Sequence, residues 1–151
     1  MKKQKIVLAS DHAGFELKEE LKNFLIKEGY EVADIGAKSL DKDDDYPDFI
    51  IPAAKQVAKE KCLGIIFGGS GQGEAIAANK VKGIRAAVYY GNNMDIVKLS
   101  RAHNNANILS FGARFVGKEE LIGAVKIWLS TDFSKEKRHE RRLKKISELE
   151  K

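Results

Sequence analysis

A glycine-rich segment, Gly68–Glu74, carries the strongest chemical signal in the sequence. Four of its first six residues are glycine, and it lies between a predicted strand and a predicted helix, so its backbone can approach a ligand closely. Its amides could bind an anion or a developing oxyanion, although a tight turn without a ligand has the same composition. A dinucleotide-binding loop fits poorly, because the glycines follow G-x-G-x-G and tyrosines, Tyr89 and Tyr90, stand where the ribose-binding acid is expected. The Gly-Lys-Ser/Thr of a nucleoside-triphosphate loop is absent.

Two histidines lie in polar segments that could line a site of this kind. Asp11 and His12 follow the first predicted strand directly. Asp11 could cap the next helix, whereas His12 could meet a phosphate or a hydroxyl. His103 precedes the fifth predicted strand together with two amides, Asn104 and Asn105. A loop histidine is usually only solvated, but this group of three supports a polar site at least as well.

The C-terminal segment offers a candidate phosphate site. Arg138 and Arg142 are four residues apart and therefore share one face of a predicted helix. Paired guanidinium groups suit a phosphate dianion, and a solvated basic face is the alternative. Leu143, Ile146 and Leu149 would give this helix an apolar edge for docking.

The sequence offers little support for a metal site or a disulfide. Three consecutive acids, Asp43–Asp45, are accompanied by no spaced set of ligands, so a solvated loop is favoured. The single cysteine, Cys62, excludes an internal disulfide and a cysteine-built zinc site. We therefore expect no metal.

Apolar runs alternate with amphipathic stretches, and this alternation predicts the elements that position the candidate side chains. Strands are predicted at 5–9, 31–35, 63–67, 84–89 and 108–111, and helices around 17–25, 47–59, 74–80, 93–101, 119–129 and 135–148. Apolar strands separated by helices indicate the α/β class, here a three-layer Rossmann-like α/β/α sandwich with a five-stranded parallel sheet and a C-terminal helix. Because ligands bind at the carboxyl ends of parallel strands, residues 10–12, 68–74 and 90–93 should share one edge.

Composition and charge narrow the class of protein. The 151 residues, 43% of them hydrophobic, suit one domain spanning residues 1–151. No apolar run reaches the roughly 18 residues of a membrane helix, and 6–9 is too short for a signal-peptide core, so we expect a soluble, cytoplasmic protein. The net charge is +5, but residues 134–151 hold eight Lys and Arg against four Glu, which accounts for +4 of it. This local excess argues against a general nucleic-acid-binding surface and for a local anionic ligand.

Taken together, these motifs resemble the ribose-5-phosphate isomerase B family, which also includes galactose-6-phosphate isomerase subunits. The resemblance runs from Lys5 to about Ile146, and although each matching segment is short, their order and spacing make the match specific. The matching segments are residues 10–14, 44–47, 69–74, 76–80, 83–86, 101–107, 111–114 and 138–139.

One departure from the family pattern indicates which residue would act as the base. Many members carry a cysteine base in the glycine-rich loop, where this chain has Gly69, and its only cysteine, Cys62, precedes the third predicted strand. Glu74, five residues further along, and Ser70 match the branch that uses a glutamate base. The resemblance therefore implies an aldose–ketose isomerase that interconverts ribose 5-phosphate and ribulose 5-phosphate, in the non-oxidative branch of the pentose phosphate pathway.

The resemblance also implies a role for each site residue. Glu74 would move a proton between C2 and C1 through an enediolate, with Ser70 and the loop amides holding its oxygens, and His103, helped by Asp11, would open the furanose ring. The implied substrate-binding residues are Asp11, His12, Tyr46, Gly69, Ser70, Gly71, Gln72, Gly73, Asn104, Arg114, Arg138 and Arg142. His12 and the three arginines of that set would hold the phosphate.

The resemblance implies that the protein uses no metal and no organic cofactor, and that it binds neither nucleic acid nor membrane. It also implies a homodimer, or dimers paired into a tetramer, with sites at the subunit interface.

Three alternatives stay open. The sugar could be galactose 6-phosphate or allose 6-phosphate, because one extra carbon changes the cavity rather than the chemistry. A nucleotide-binding or nucleic-acid-binding module would use the loop and the basic tail. A silent subunit of a hetero-oligomer would be inactive without its partner chain.

Overall fold

The computed structural model describes residues 3–151, in which five strands alternate with helices; Met1 and Lys2, part of the expected domain, lie outside the described residues. The strands are β1 (Lys3–Ser10), β2 (Tyr30–Gly36), β3 (Leu63–Gly68), β4 (Ala86–Tyr89) and β5 (Ile108–Gly112). The α-helices are α1 (Phe15–Lys27), α2 (Pro47–Glu60), α3 (Gln72–Asn79), α4 (Asp95–Ala102), α5 (Lys118–Leu129) and α6 (Lys137–Ser147). None of these helices, across residues 3–151, has the length and apolar character that crossing a bilayer requires.

The five strands form one parallel sheet in the order β2-β1-β3-β5-β4. After β1 the chain moves outward to β2 and then returns to the other side of β1 for β3. A ligand cleft forms outside the carboxyl ends of parallel strands at such a reversal. The register pairs Ser10 with Phe67 and Gly68 with Gly112, so the ends of β1, β3 and β5 lie side by side.

Helices cover both faces of the sheet, which explains why its central strands are apolar throughout. On one face α1, α4 and α5 bury a core around Trp128, whose indole N–H donates to the hydroxyl of Ser100 at 3.2 Å. On the other face α2 packs Ile50 and Val57, and α3 packs Ala78, into a core with β1 and β3. Each fully buried side chain of the size of Val or Ile contributes about 1.5–3 kcal/mol, so both faces hold the sheet edge rigidly.

The structure confirms the predicted three-layer α/β/α fold with a five-stranded parallel sheet and a C-terminal helix. Most element boundaries differ from the predicted ones by one or two residues, and two of these differences have a local physical cause. β4 begins at Ala86, two residues late, because the N–H of Arg85 donates to the side chain of Asn107 at 2.7 Å. α6 begins at Lys137 because Lys135 has a φ of 59°, a left-handed conformation that a continuing helix cannot contain.

The apolar edge predicted for the C-terminal helix is only partly used within the chain. Leu143 is half-buried, but Ile146 and Leu149 are 53% and 86% exposed. The expectation that all three dock the helix is therefore wrong for the last two within one chain. They border an open groove of about 650 Å³ that Asn104 also lines, so α6 leaves apolar surface uncovered there.

Candidate active site

The glycine-rich loop joins β3 to α3 and is fixed in place by its neighbour β5. Gly71 has a φ of 79°, and a Cβ there would lie 2.9 Å from the carbonyl carbon of Phe111, so the position requires glycine. The hydroxyl of Ser110 donates to the carbonyl of Gly71 at 2.7 Å. The hydroxyl of Ser70 accepts a hydrogen bond from the N–H of Gln72 at 3.3 Å, and the Gln72 side chain is exposed. The loop is thus a preformed backbone turn at the carboxyl edge of the sheet.

Glu74, in the first turn of α3, folds its side chain back over this turn. The residue is only 4% exposed, and a Cβ on Gly68 would overlap its carboxylate. Burial raises the pKa of Glu74, and the negative charge of Asp11 raises it further, while the N–H groups of Glu74 and Gly71 oppose the shift. Cys62, by contrast, lies just before β3, at the opposite end of that strand. The loop therefore contains a buried carboxylate with a raised pKa, a group that can act as a proton-transferring base.

Asp11 follows β1 and lies near Glu74, since its charge acts on that carboxylate. Its Oδ1 accepts hydrogen bonds from the N–H groups of Ala13 at 3.0 Å and Gly14 at 3.4 Å. The carboxylate therefore caps the short 3-10 helix His12–Gly14, as the capping interpretation predicted. Capping occupies Oδ1 alone, so the structure accommodates a second role for Asp11.

His12 forms an ion pair with Asp44, which the sequence did not predict. Nδ1 of His12 lies 2.7 Å from Oδ1 of Asp44, and the same oxygen accepts the backbone N–H of His12 at 3.2 Å. The Asp44 side chain is only 8% exposed, so the solvated-loop interpretation of Asp43–Asp45 is wrong at this position. The Asp44 hydrogen bond raises the pKa of His12 against an opposing effect of burial. This pair favours a cationic imidazole at the carboxyl edge.

Asp11, His12 and Asp44 also form the one grouping in residues 3–151 whose geometry could hold a metal ion, with ligand atoms within 4.8 Å of one another. The ring nitrogen of His12 that faces the acids is already hydrogen-bonded to Asp44. A metal there would have to displace this ion pair, and the raised pKa of His12 opposes the neutral imidazole that metals bind. The donor set therefore suits an ion pair better than a metal.

Arg114 and Tyr46 close over the loop from its two sides. The N–H of Arg114 donates to the carbonyl of Gly69 at 3.1 Å, and a Cβ on Gly69 would lie 3.0 Å from Nη1 of Arg114. A Cβ on Gly73 would lie 2.6 Å from the Tyr46 hydroxyl oxygen. The charge of Arg114 also lowers the pKa of His12, so the two side chains lie near each other. We name the carboxyl-edge group: Asp11, His12, Asp44, Tyr46, Gly69–Glu74 and Arg114.

The segment after β4 reaches the same edge. Gly112, the last residue of β5, lies between the loop and this segment, since a Cβ on it would lie 2.7 Å from the carbonyl oxygen of Ser70 and 3.0 Å from Cβ of Tyr90. The prediction that residues 10–12, 68–74 and 90–93 share one edge is therefore confirmed.

The remaining predicted site residues form a second group at the amino edge of the sheet. His103 directly follows α4, and its imidazole stacks on that of His139 in the first turn of α6, with ring centroids 4.2 Å apart. Arg138 is exposed and pairs with Glu136 at 3.0 Å, and the charges of Arg138 and Arg142 both act on His139. We name the amino-edge group: His103, Asn104, Arg138, His139 and Arg142.

Two arginines that sequence reasoning gave no role support the loop that presents His103 and Asn104. Asn105 has a φ of 46°; its carbonyl accepts Nε of Arg85 at 2.7 Å, and its side-chain oxygen accepts Nη1 of Arg101 at 3.2 Å. Arg101 also donates to the carbonyl of Ala106. Both arginines fall in segments of the family resemblance, but only the folded loop reveals what they bind.

One chain cannot bring the two groups together. β5 runs from the amino edge at Ile108 to the carboxyl edge at Gly112, a length of about 13 Å, and His103 lies five residues before it. Glu74 and His103 therefore stand at opposite ends of the sheet.

Comparison with known proteins identifies the family. The Ribose/Galactose Isomerase family model matches residues 6–146. Ribose-5-phosphate isomerase B of Mycolicibacterium paratuberculosis is 44% identical over 147 residues, which cover 97% of this chain and 91% of the relative. Ribose-5-phosphate isomerase B of Clostridium thermocellum superposes with a TM-score of 0.91 at 46% identity, covering 97% of both chains. The Mycoplasma genitalium enzyme, solved with bound ribulose 5-phosphate, gives 0.93 at 39% identity, covering 99% of this chain and 98% of that one. The chain therefore belongs to the ribose/galactose isomerase family.

Proposed function

We propose that this chain is an aldose–ketose isomerase that interconverts ribose 5-phosphate and ribulose 5-phosphate. The observation that carries the proposal is Glu74, a buried carboxylate with a raised pKa inside a preformed glycine turn. The relatives named ribose-5-phosphate isomerase B supply the substrate class.

Glu74 is the proposed proton carrier. It removes the proton from C2 of the open-chain aldose, the C2 hydroxyl proton passes to O1, and the carboxylic acid returns its proton to C1. C1 is thereby reduced to an alcohol while C2 becomes the ketone, so the step balances without an oxidant or reductant. A raised pKa suits both proton transfers, because the same group must take the proton from C2 and then give it to C1.

The loop is the proposed cradle for the enediolate. Its backbone already has the turned conformation, and α3 begins at Gln72, so the N–H groups at this helix N-terminus can face negative charge. The hydroxyl of Ser70 lies in the same turn. Fixed donors stabilise the charge that develops without reorganising during the reaction.

Side chains from both groups are proposed to bind the phosphate and to open the furanose ring. We propose that His12 and Arg114 at the carboxyl edge, with Arg138 and Arg142 of the amino-edge group, bind the phosphate. His103, with Asp11, moves the protons that open the ring, and Asn104 binds sugar hydroxyls. Tyr46, which lies against Gly73, completes the substrate-binding set.

Because the two groups lie at opposite ends of the sheet, one chain does not bring them together. We propose a homodimer in which each site combines the carboxyl-edge group of one chain with the amino-edge group of the other. Exposed apolar side chains support a partner there: Ile146 and Leu149 line the open groove, and Ile76, 63% exposed on α3, lines an adjoining groove. Covering such side chains is the usual reason for subunit association. We further propose that residues 1–151 act as one domain, in the cytoplasm, without metal, organic cofactor, nucleic-acid or membrane partner.

A coupled assay of the purified chain on ribose 5-phosphate, allose 6-phosphate and galactose 6-phosphate tests the proposal. The highest kcat/KM is expected on ribose 5-phosphate. Preference for a hexose phosphate would move the assignment to the six-carbon isomerases, and no turnover until a second kind of chain is added would identify a silent subunit. Salt-dependent polyanion binding without isomerisation would overturn the enzyme assignment.

A further inference from the structure

The stacked imidazoles at the junction of α4 and α6 contain one ring that the proposed reaction does not use. His139 is only 4% exposed, and its ring lies 4.2 Å from that of His103 with an interplanar angle of 31°. His103 is only half-buried. His139 therefore shields one side of His103 and restricts the orientation of its ring.

Ser134, which lies before α6, is hydrogen-bonded both to His139 and to the end of α4. Its hydroxyl oxygen lies 2.9 Å from Nδ1 of His139 and accepts the N–H of Glu136 at 3.3 Å. Its own N–H donates to the carbonyl of Ala102, the residue before His103, at 2.9 Å. One serine thus links the end of α4 by its backbone to the His139 ring by its side chain.

The charges around the pair favour a neutral His139. Burial lowers the pKa of His139, and the charges of His103, Arg138 and Arg142 lower it further, with only Glu136 opposing. In the neutral ring, Nδ1 accepts the Ser134 hydroxyl proton and Nε2 carries the hydrogen. A neutral His139 suits a supporting role beside His103, to which the proposed function assigns ring opening.

We propose that Ser134 and His139 are positioning residues that hold the His103 imidazole at the angle required for ring opening. The inference rests on the proposed function of His103. It assigns no contact between Ser134 and the sugar: the serine acts on His139, and His139 acts on His103. Misplacing a proton-transferring group by about 1 Å can cost on the order of 100-fold in rate, so a loosened stack should be measurable.

The test compares ribose 5-phosphate with 4-deoxyribose 5-phosphate, which lacks the hydroxyl that closes the furanose ring and is always open-chain. Ser134→Ala should lower kcat/KM on ribose 5-phosphate about 10-fold and change that on the 4-deoxy analogue less than about twofold. His139→Ala should act in the same direction and more strongly. Ser134→Thr keeps the hydroxyl and should restore the wild-type rate, and Ser130→Ala, which removes another exposed hydroxyl, should have no effect.

Each contrary outcome has a distinct meaning. Equal losses on both substrates would overturn the positioning role in favour of phosphate binding or general structure, and unchanged rates for both variants would overturn it outright. If His139→Ala fails to fold, the Ser134 variants decide the question, because Ser134 is exposed. If His103→Ala lowers kcat/KM equally on both substrates, the proposed role of His103 in ring opening is overturned, rather than the positioning role of Ser134 and His139 alone. Turnover of neither substrate by the wild-type dimer would overturn the proposed function itself.

Discussion

The two edges of the sheet carry candidate site residues of opposite character. Within the carboxyl-edge group, Glu74 and Asp11 are buried and held by backbone: the Glu74 carboxylate packs against Gly68, and Asp11 accepts hydrogen bonds from two backbone N–H groups. The amino-edge group is mostly exposed, and within residues 3–151 the side chain of Arg138 pairs only with Glu136. Under the proposed function, proton transfer is preorganised within one chain, whereas phosphate binding and ring opening need a second chain. Variants at the two edges should therefore fail in different ways.

Glu74→Gln should produce the largest effect. The amide keeps the shape of the side chain but cannot accept the C2 proton, so kcat should fall by about 10²–10⁴. Affinity for ribose 5-phosphate, measured by calorimetry, should stay close to that of the wild type. A kcat within tenfold of the wild-type value would remove the base role from Glu74.

Gly68→Ala tests whether the buried carboxylate depends on the shape of the loop. The new Cβ would overlap the carboxylate of Glu74 and displace it, so kcat should fall about 100-fold. Gly117→Ala is the matched control, because a Cβ there meets no atom within 4 Å. Equal activity of both variants would show that the position of Glu74 does not require Gly68.

Arg138→Ala probes the exposed edge and should change binding rather than proton transfer. Loss of a charged hydrogen bond costs about 1.5–3 kcal/mol, so KM for ribose 5-phosphate should rise about 10- to 100-fold with kcat little changed. Arg141→Ala removes an exposed arginine of the same helix outside the proposed site and serves as the control. Equal KM values for the two variants would show that Arg138 does not bind the phosphate.

Asp44→Asn should have the smallest effect on turnover, and it acts through His12. Without the carboxylate the pKa of His12 should fall, which a titration of the imidazole C–H signals by NMR would record. Because the pair raises the pKa of His12, its contribution to stability is full below the ordinary histidine pKa and disappears as the pH rises through the raised value. An unchanged His12 titration would show that the 2.7 Å contact does not govern its charge.

The sequence predicts the carboxyl edge better than the amino edge for a physical reason. Strand ends and a glycine turn are local features, so the place of Gly68–Glu74 in the fold follows from the alternation of apolar and amphipathic segments. The burial of Asp44 depends on a loop closing over His12, and three consecutive acids suggest solvent instead. The Ser134–His139–His103 arrangement depends on how α6 packs against the end of α4, which no short-range pattern specifies.

The proposed shared site is tested most directly by mixing two variants that are each expected to be inactive. Glu74→Gln and His103→Asn chains are denatured together, refolded and assayed on ribose 5-phosphate. If each site combines Glu74 of one chain with His103 of the other, each mixed dimer has one intact site, and random pairing restores about a quarter of the wild-type activity. Activity no higher than that of the separate variants, with mixed dimers demonstrated by mass, would contradict a site shared between chains.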